Sequence, residues 1–84
     1  MKTILKQFGK NVRKLRLARN LSQEELAFKA SMHRTYLGGI ERGERNPSLK
    51  NISAIADALN TTLAELFTFT EGESEANSHS PKVL

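Results

Sequence analysis

Three consecutive side chains, Arg34, Thr35 and Tyr36, carry groups that could contact the edges of DNA bases. The guanidinium group of Arg34 can donate two parallel hydrogen bonds, which matches O6 and N7 of guanine. Thr35 offers a hydroxyl group and a methyl group, and the methyl suits contact with the methyl group of thymine. Tyr36 has an apolar ring with a polar tip that can contact bases or the sugar–phosphate backbone. The alternative for each residue is an ordinary exposed position on a helix.

The rest of the sequence offers no set of residues for catalysis or metal binding. The chain contains no Cys, which excludes a disulfide, a thiolate zinc site and a Cys nucleophile. Its two histidines, His33 and His79, stand far apart, and neither is within helical reach of both a carboxylate and a nucleophile. We therefore expect no enzyme activity, no metal and no other cofactor.

The charge of the chain is unevenly distributed. Residues 1–70 contain 12 Lys and Arg against 6 Asp and Glu, and residues 1–20 contain no acidic residue at all. Residues 71–84 carry 1 basic and 3 acidic residues. A basic body favours a polyanionic partner such as nucleic acid. On charge alone, a lysine-rich helix face that only keeps the chain in solution is an equally good interpretation.

The sequence also lacks the signals of export or membrane insertion. It has no run of about 18 apolar residues, the length that a membrane-spanning helix requires. Its N-terminal segment is basic, but Lys6, Lys10 and Arg13 interrupt it before an apolar region of a signal peptide could form. We expect a cytoplasmic protein, associated with the nucleoid, that has no membrane partner.

Helical periodicity and capping signals divide the chain into five short helices. The first presents an apolar face at steps of three and four residues. The second begins at Ser22, which forms a capping box with Glu25, and ends near Ala30. The third runs from His33 to about Arg42 and stops at Gly43. The apolar face of the first helix consists of Leu5, Phe8, Val12 and Leu15.

Two further helices complete the periodic part of the chain. Ser48 is the expected N-cap of a fourth helix with an apolar stripe, and Thr62 with Glu65 predicts a second capping box at the start of a fifth. Residues 71–84 have no periodicity and are rich in Ser and Glu, which predicts a disordered acidic and polar tail. The expected domain therefore covers residues 1–70.

The second and third helices and the short turn between them have the spacing of a helix-turn-helix, over about residues 22–42. Over nearly all of residues 5–67, the sequence resembles the phage-repressor-like regulators of the Xre family. The stretch that carries this resemblance is LSQEELAFKASMHRTYLGGIERGERNPSLKNISAIADALNTTLAEL. Within the family, HRTYLGGIERGERN followed by SLKNI is similar to the controller proteins of restriction–modification systems. The resemblance implies an all-α, five-helix, lambda-repressor-like DNA-binding domain.

The resemblance also implies roles for single residues. It places Arg34, Thr35 and Tyr36 at the base-facing positions and lets Arg45 reach into a groove. Phosphate contacts are expected from residues at the start of the second helix, around the end of the third and in the first turn of the fourth. These residues are Gln23, Arg42, Asn46 and Asn51. Arg16 and Glu41 correspond to a buried ion pair of phage repressors and are expected to be structural.

Three features depart from the pattern of the family. Ser31 occupies a turn position that is usually Gly, so it must adopt a positive φ or the turn must adjust. His33 stands at the N-cap of the third helix, where Ser, Thr or Asp would be better. Gly38 and Gly39 lie in the middle of a helix, where each costs about 1 kcal/mol relative to Ala. Close approach of DNA and simple tolerance on an exposed face are equally good explanations of this pair.

Apolar residues near the end of the fold raise the question of assembly. Leu63, Phe67 and Phe69 follow the expected DNA-reading unit, and a small core leaves them weakly covered. They either close the core or form the interface of a symmetric dimer. A dimer through the fifth helix would place two third helices about 34–36 Å apart, one turn of DNA.

Two functions of different class fit these features. The first is a sequence-specific DNA-binding transcriptional regulator that acts as a homodimer on a pseudo-palindromic operator, with RNA polymerase as a further candidate partner. The second is an antitoxin whose acidic tail would wrap a toxin, although residues 71–84 offer only Val83 and Leu84 as apolar anchors. A non-specific nucleoid binder is disfavoured because Arg34, Thr35 and Tyr36 form a selective set.

Overall fold

The computed structural model describes residues 2–69 and contains five helices. Their bounds are α1 (Lys2–Ala18), α2 (Gln23–Lys29), α3 (Arg34–Glu41), α4 (Leu49–Ala58) and α5 (Leu63–Leu66). No strand occurs within this range. The expected all-α fold with five helices is therefore confirmed. The predicted tail, residues 71–84, lies outside the described residues. None of the helices in the described part is long and apolar enough to cross a membrane.

Side-chain caps begin four of the helices, as the sequence predicts. At α2, the Glu25 backbone N–H donates to Ser22 Oγ (3.0 Å), and the Ser22 N–H donates to Glu25 Oε1 (2.8 Å). These hydrogen bonds, the one from the Ser22 backbone first, lower the pKa of the Glu25 carboxyl group below its ordinary value. Ser48 caps α4 in the same way by accepting from the Asn51 N–H (3.1 Å).

The second predicted capping box is only half formed. Thr62 Oγ1 accepts a hydrogen bond from the Glu65 N–H (3.0 Å), as expected of an N-cap. The Glu65 carboxylate, however, accepts from the hydroxyl group of Thr61 (2.6 Å) and not from the backbone of Thr62. The hydroxyl that precedes the N-cap competes for the same carboxylate, which the Thr-x-x-Glu spacing alone does not reveal.

The turns that follow α1, α2 and α4 share one backbone geometry. Each contains a non-Gly residue with positive φ: Asn20 (57°), Ser31 (57°) and Asn60 (55°). In each, the next backbone N–H donates to a carbonyl five residues earlier, which reverses the chain at the end of the helix. Ser31 therefore takes the positive φ that a Gly would adopt at lower cost.

The core lies where all five helices meet. α3 packs against both α1 and α2, and α5 packs against α1 and α4. α1 and α3 approach closely at Gly9, where a Cβ atom would lie 2.6 Å from the Glu41 carbonyl oxygen and would also overlap that of Ile40. The buried apolar residues are Phe8, Val12, Leu26, Ala27, Ala30, Leu37, Ile40, Ile55, Ala56, Leu59 and Leu66.

Two polar side chains, Asn11 of α1 and Arg19 directly after it, attach this part of the chain to the ends of α4 and α5. Asn11 is buried, and its Nδ2 donates to the carbonyl oxygens of Leu66 (2.7 Å) and Glu65 (3.1 Å). Arg19 Nε donates to the carbonyl oxygen of Leu59, at the end of α4. Carbonyl groups at the end of a helix lack donor partners within it, and these side chains donate to those of Leu66 and Leu59, which holds α1 against α4 and α5.

Candidate nucleic-acid interface

The N-terminal turn of α3 faces outward while the rest of the helix is buried. Arg34 and Thr35 are exposed, Tyr36 is half-buried, and Leu37 to Glu41 are buried. Because α1 and α2 both pack on α3, the helix is held at its buried face and presents its first turn to solvent. The recognition helix of a helix-turn-helix has this geometry, because its N-terminal residues contact base edges in the major groove.

His33 caps this helix through its ring. Its Nδ1 accepts a hydrogen bond from the Thr35 N–H at 3.1 Å, and its backbone is extended. Since Nδ1 is the acceptor, neutral His33 carries its proton on Nε2. A His therefore fulfils the N-cap role that the sequence assigns to it, and it fixes the first turn that carries Thr35.

Tyr36 is held by two residues that the sequence assigns to DNA contact. Asn51 Nδ2 donates a hydrogen bond to the Tyr36 hydroxyl group at 3.2 Å. The guanidinium carbon of Arg45 lies 5.8 Å from the centre of the Tyr36 ring, within the range of a cation–π contact. The structure thus brings together α3, the loop after it and the first turn of α4 at one aromatic ring.

Gln23 contacts the buried ion pair of the domain. Arg16 Nε and Nη2 donate to the two carboxylate oxygens of Glu41, at 2.7 and 3.0 Å. Gln23 Nε2 donates to Oε1 of the same carboxylate at 2.9 Å. The first residue of α2 is therefore hydrogen-bonded to the last residue of α3. This bond to the buried carboxylate orients the Gln23 side chain, which is expected to contact phosphate. No pattern in the sequence predicts this contact.

Arg42 and Asn46 lie exposed around the end of α3. Arg42 Nε is 3.1 Å from Glu44 Oε1, and both side chains are well exposed, at 58% and 60%. An ion pair of this exposure contributes little to stability, so Arg42 remains available to a polyanion. Asn46 follows in the loop before α4.

The glycine pair of α3 is covered by side chains of this chain. Gly38 and Gly39 are both buried, so tolerance on an exposed face is not the explanation for them. A Cβ atom at position 38 would lie 3.2 Å from Arg42 Nη1, and one at position 39 would lie 2.7 Å from Arg45 Cγ. The side chains of Arg42 and Arg45 therefore occupy the space beside Gly38 and Gly39 that DNA was expected to approach.

The residues expected at the dimer interface form an apolar patch, Leu63, Phe67 and Phe69. Leu63 and Phe67 are 45% and 43% exposed, whereas Phe69 is half-buried. The Phe67 ring lies 5.0 Å from that of Phe8 and 6.2 Å from that of Phe69, measured between ring centres. The patch therefore closes the core with one side and exposes apolar surface with the other, so that both expected roles fit.

Comparison with known proteins gives consistent matches. The helix-turn-helix family matches residues 12–66. Control protein C.BamHI of Bacillus amyloliquefaciens is 52% identical over 64 residues, 75% of this chain and 79% of that protein. The crystal structure of the restriction–modification controller protein C.AhdI from Aeromonas hydrophila is similar with a TM-score of 0.74 and 52% identity, covering 75% of this chain and 96% of that one.

A third match is a protein–DNA complex. The controller protein C.Esp1396I, crystallised as a tetramer with its natural 35-base-pair operator, has a TM-score of 0.71 and 34% identity, over 76% of this chain and 84% of that one. The sequence relatives and the fold agree with the resemblance that residues 5–67 carry. This chain therefore belongs to the helix-turn-helix family and is a relative of the restriction–modification control proteins within it.

Proposed function

We propose that this protein is a sequence-specific DNA-binding transcriptional regulator that acts as a homodimer on an operator. The observation that carries the proposal is the exposed first turn of α3, which holds Arg34 and Thr35 outward on a helix packed against α1 and α2. In a helix-turn-helix, the second helix enters the major groove and the first helix crosses the DNA backbone. Here α3 would place Arg34 and Thr35 in the groove, and α2 would cross the backbone.

The contacts divide into two classes. Arg34, Thr35, Tyr36 and Arg45 read base edges, since Arg suits guanine and the Thr methyl suits thymine. The phosphate contacts come from Gln23, Arg42, Asn46 and Asn51, and they set the register of the protein on the duplex. Asn51 adds a second task, because its amide group holds the Tyr36 hydroxyl.

The relatives favour a regulator over an antitoxin. C.BamHI and C.SmaI are control proteins at 52% and 49% identity, and the C.Esp1396I tetramer is bound to its operator. By analogy, this protein binds the promoter region of restriction–modification genes and acts in the cytoplasm, where RNA polymerase is its neighbour on the DNA. Neither catalysis nor a cofactor is part of the proposal.

Selection of DNA from a random-sequence pool tests this function directly. Wild-type protein is expected to enrich one duplex with two half-sites related by approximate two-fold symmetry, their centres about 34–36 Å apart, one helical turn. Specific proteins of this kind bind their sites about 10³-fold or more tighter than random DNA. A pool that shows no enrichment, at a salt concentration where the protein binds DNA, would contradict the proposal.

The dimer is expected to depend on Leu63. Leu63→Glu places a charge on the exposed side of the apolar patch and should weaken self-association about tenfold or more, because an unpaired charge is costly to bury. Leu17→Glu is the matched control, since Leu17 is 48% exposed, close to the 45% of Leu63, but lies on α1. Sedimentation equilibrium over micromolar concentrations measures both, and equal association of the two variants would contradict the assignment.

A further inference from the structure

Arg45 lies along the backbone of α3 at Gly39. A Cβ atom at position 39 would be 2.7 Å from Cγ, 3.4 Å from Nε and 3.6 Å from Cδ of Arg45. The first of these distances is shorter than side chains tolerate, so the present path of Arg45 requires the absence of a side chain at this position. The stem of an otherwise exposed arginine is thus placed against the helix.

This path leads Arg45 to Tyr36. The guanidinium carbon stands 5.8 Å from the centre of the aromatic ring. The hydroxyl group of the same ring accepts from Asn51 Nδ2 at 3.2 Å. Contacts within the chain therefore position both residues: the bare stretch of helix at Gly39 positions Arg45, and a hydrogen bond from Asn51 of α4 positions Tyr36.

We propose that Gly39 is a positioning residue for DNA recognition, because its lack of a side chain lets Arg45 lie on α3 and stack over Tyr36. The inference rests on the proposed function, in which both side chains contact DNA. A long side chain that is already ordered loses less rotamer freedom when it binds. Gly39 therefore raises the affinity for DNA without touching it. This role explains why a Gly, which is unfavourable in a helix, stands at this position.

Gly39→Ala should separate stability from DNA binding. The added methyl group meets a flexible, exposed arginine, which can move away, so the fold is retained. Ala is also the better helix former, and thermal stability should stay equal or rise. Affinity for the selected duplex should fall about three- to tenfold, as expected when one long side chain must be ordered on binding. If Gly39 were needed only for the fold, Gly39→Ala would lower thermal stability and DNA affinity together.

A double-mutant cycle tests whether Gly39 acts through Arg45. Wild type, Gly39→Ala, Arg45→Ala and the double variant are titrated with the duplex that wild-type protein selects from the random pool, at one salt concentration. We expect the double variant to bind as Arg45→Ala does, because the methyl group has no effect once Arg45 is absent. If Gly39→Ala weakens binding equally in both backgrounds, or not at all in wild type, the proposal fails.

Tyrosine fluorescence provides a test without DNA. Tyr36 is the single Tyr of a chain without Trp, so the emission reports on this ring alone. Gly39→Ala and Arg45→Ala should increase quenching by acrylamide to a similar extent, since both uncover the ring. Gly38→Ala is the matched control and should leave quenching unchanged, because the atoms nearest its methyl group would belong to Arg42 and Gln23.

DNA selection and tyrosine quenching together distinguish failure of the proposed function from failure of the role assigned to Gly39. If wild-type protein selects no duplex while both variants alter quenching, the arrangement of Arg45 exists but the proposed function is wrong. If wild-type protein selects a duplex and Gly39→Ala changes neither quenching nor affinity, the regulator stands and the role of Gly39 is refuted.

Discussion

Replacement of Glu41 by Leu is expected to lower the free energy of unfolding by about 3–5 kcal/mol, because it leaves the Arg16 charge buried without a partner. The side chains of this pair are 8% and 2% exposed, and their bidentate contact is 2.7 and 3.0 Å long. Such a loss is a large part of the stability of a small domain. Urea unfolding followed by circular dichroism measures it.

A second substitution supplies the control for this experiment. Arg16→Met combined with Glu41→Leu removes both charges, and apolar pairs of similar volume are often as stable as the ion pair they replace. The double variant should therefore recover much of the stability that Glu41→Leu loses, although the Leu21 carbonyl oxygen also loses its donor. A double variant that is less stable than the single one would show that burial of the charge is not the cause.

Much of the fold could be predicted because its signals are local. Ser22 with Glu25, Ser48 and His33 each cap the helix that the sequence assigns to them, and their partners lie two or three residues away. The Thr62 cap is also correct, but the reciprocal contact of Glu65 is lost to Thr61. The Thr61 hydroxyl group and the Thr62 backbone N–H compete as donors for the Glu65 carboxylate, and the hydroxyl group makes the contact.

Contacts between distant residues explain what the sequence did not predict. Asn11 reaches the end of α5, 54 and 55 residues away, and nothing in its neighbourhood announces that partner. The need for Gly9 arises only where α1 crosses α3. In the interface, residue types and family resemblance suggested Arg45 and Asn51, but their shared contact with Tyr36 depends on where the loop after α3 and the first turn of α4 lie in the fold.

The contact between Gln23 and Glu41 also decides which variants can separate affinity from specificity. Gln23→Ala would remove a phosphate contact, but it would also remove a donor from the buried carboxylate, and its effect would mix binding with stability. Arg42 is the better phosphate variant, because its only salt bridge within the described residues is an exposed pair with Glu44. Such a pair adds little to stability.

Arg34→Ala is expected to weaken binding to the selected duplex by about 1–3 kcal/mol and to leave binding to random DNA nearly unchanged, since a bidentate contact with guanine exists only at the cognate site. Arg42→Ala should weaken binding to both duplexes by similar factors and reduce the slope of affinity against salt by about one unit, because a phosphate contact carries no base information.

Titration of both variants on both duplexes, at several salt concentrations, measures these differences. The ratio of cognate to random affinity should fall for Arg34→Ala and stay constant for Arg42→Ala. Since affinity for random DNA varies steeply with salt, the ratio is compared only at equal salt. If Arg34→Ala weakens both duplexes equally, Arg34 is a phosphate contact, and base recognition must pass to Thr35, Tyr36 and Arg45.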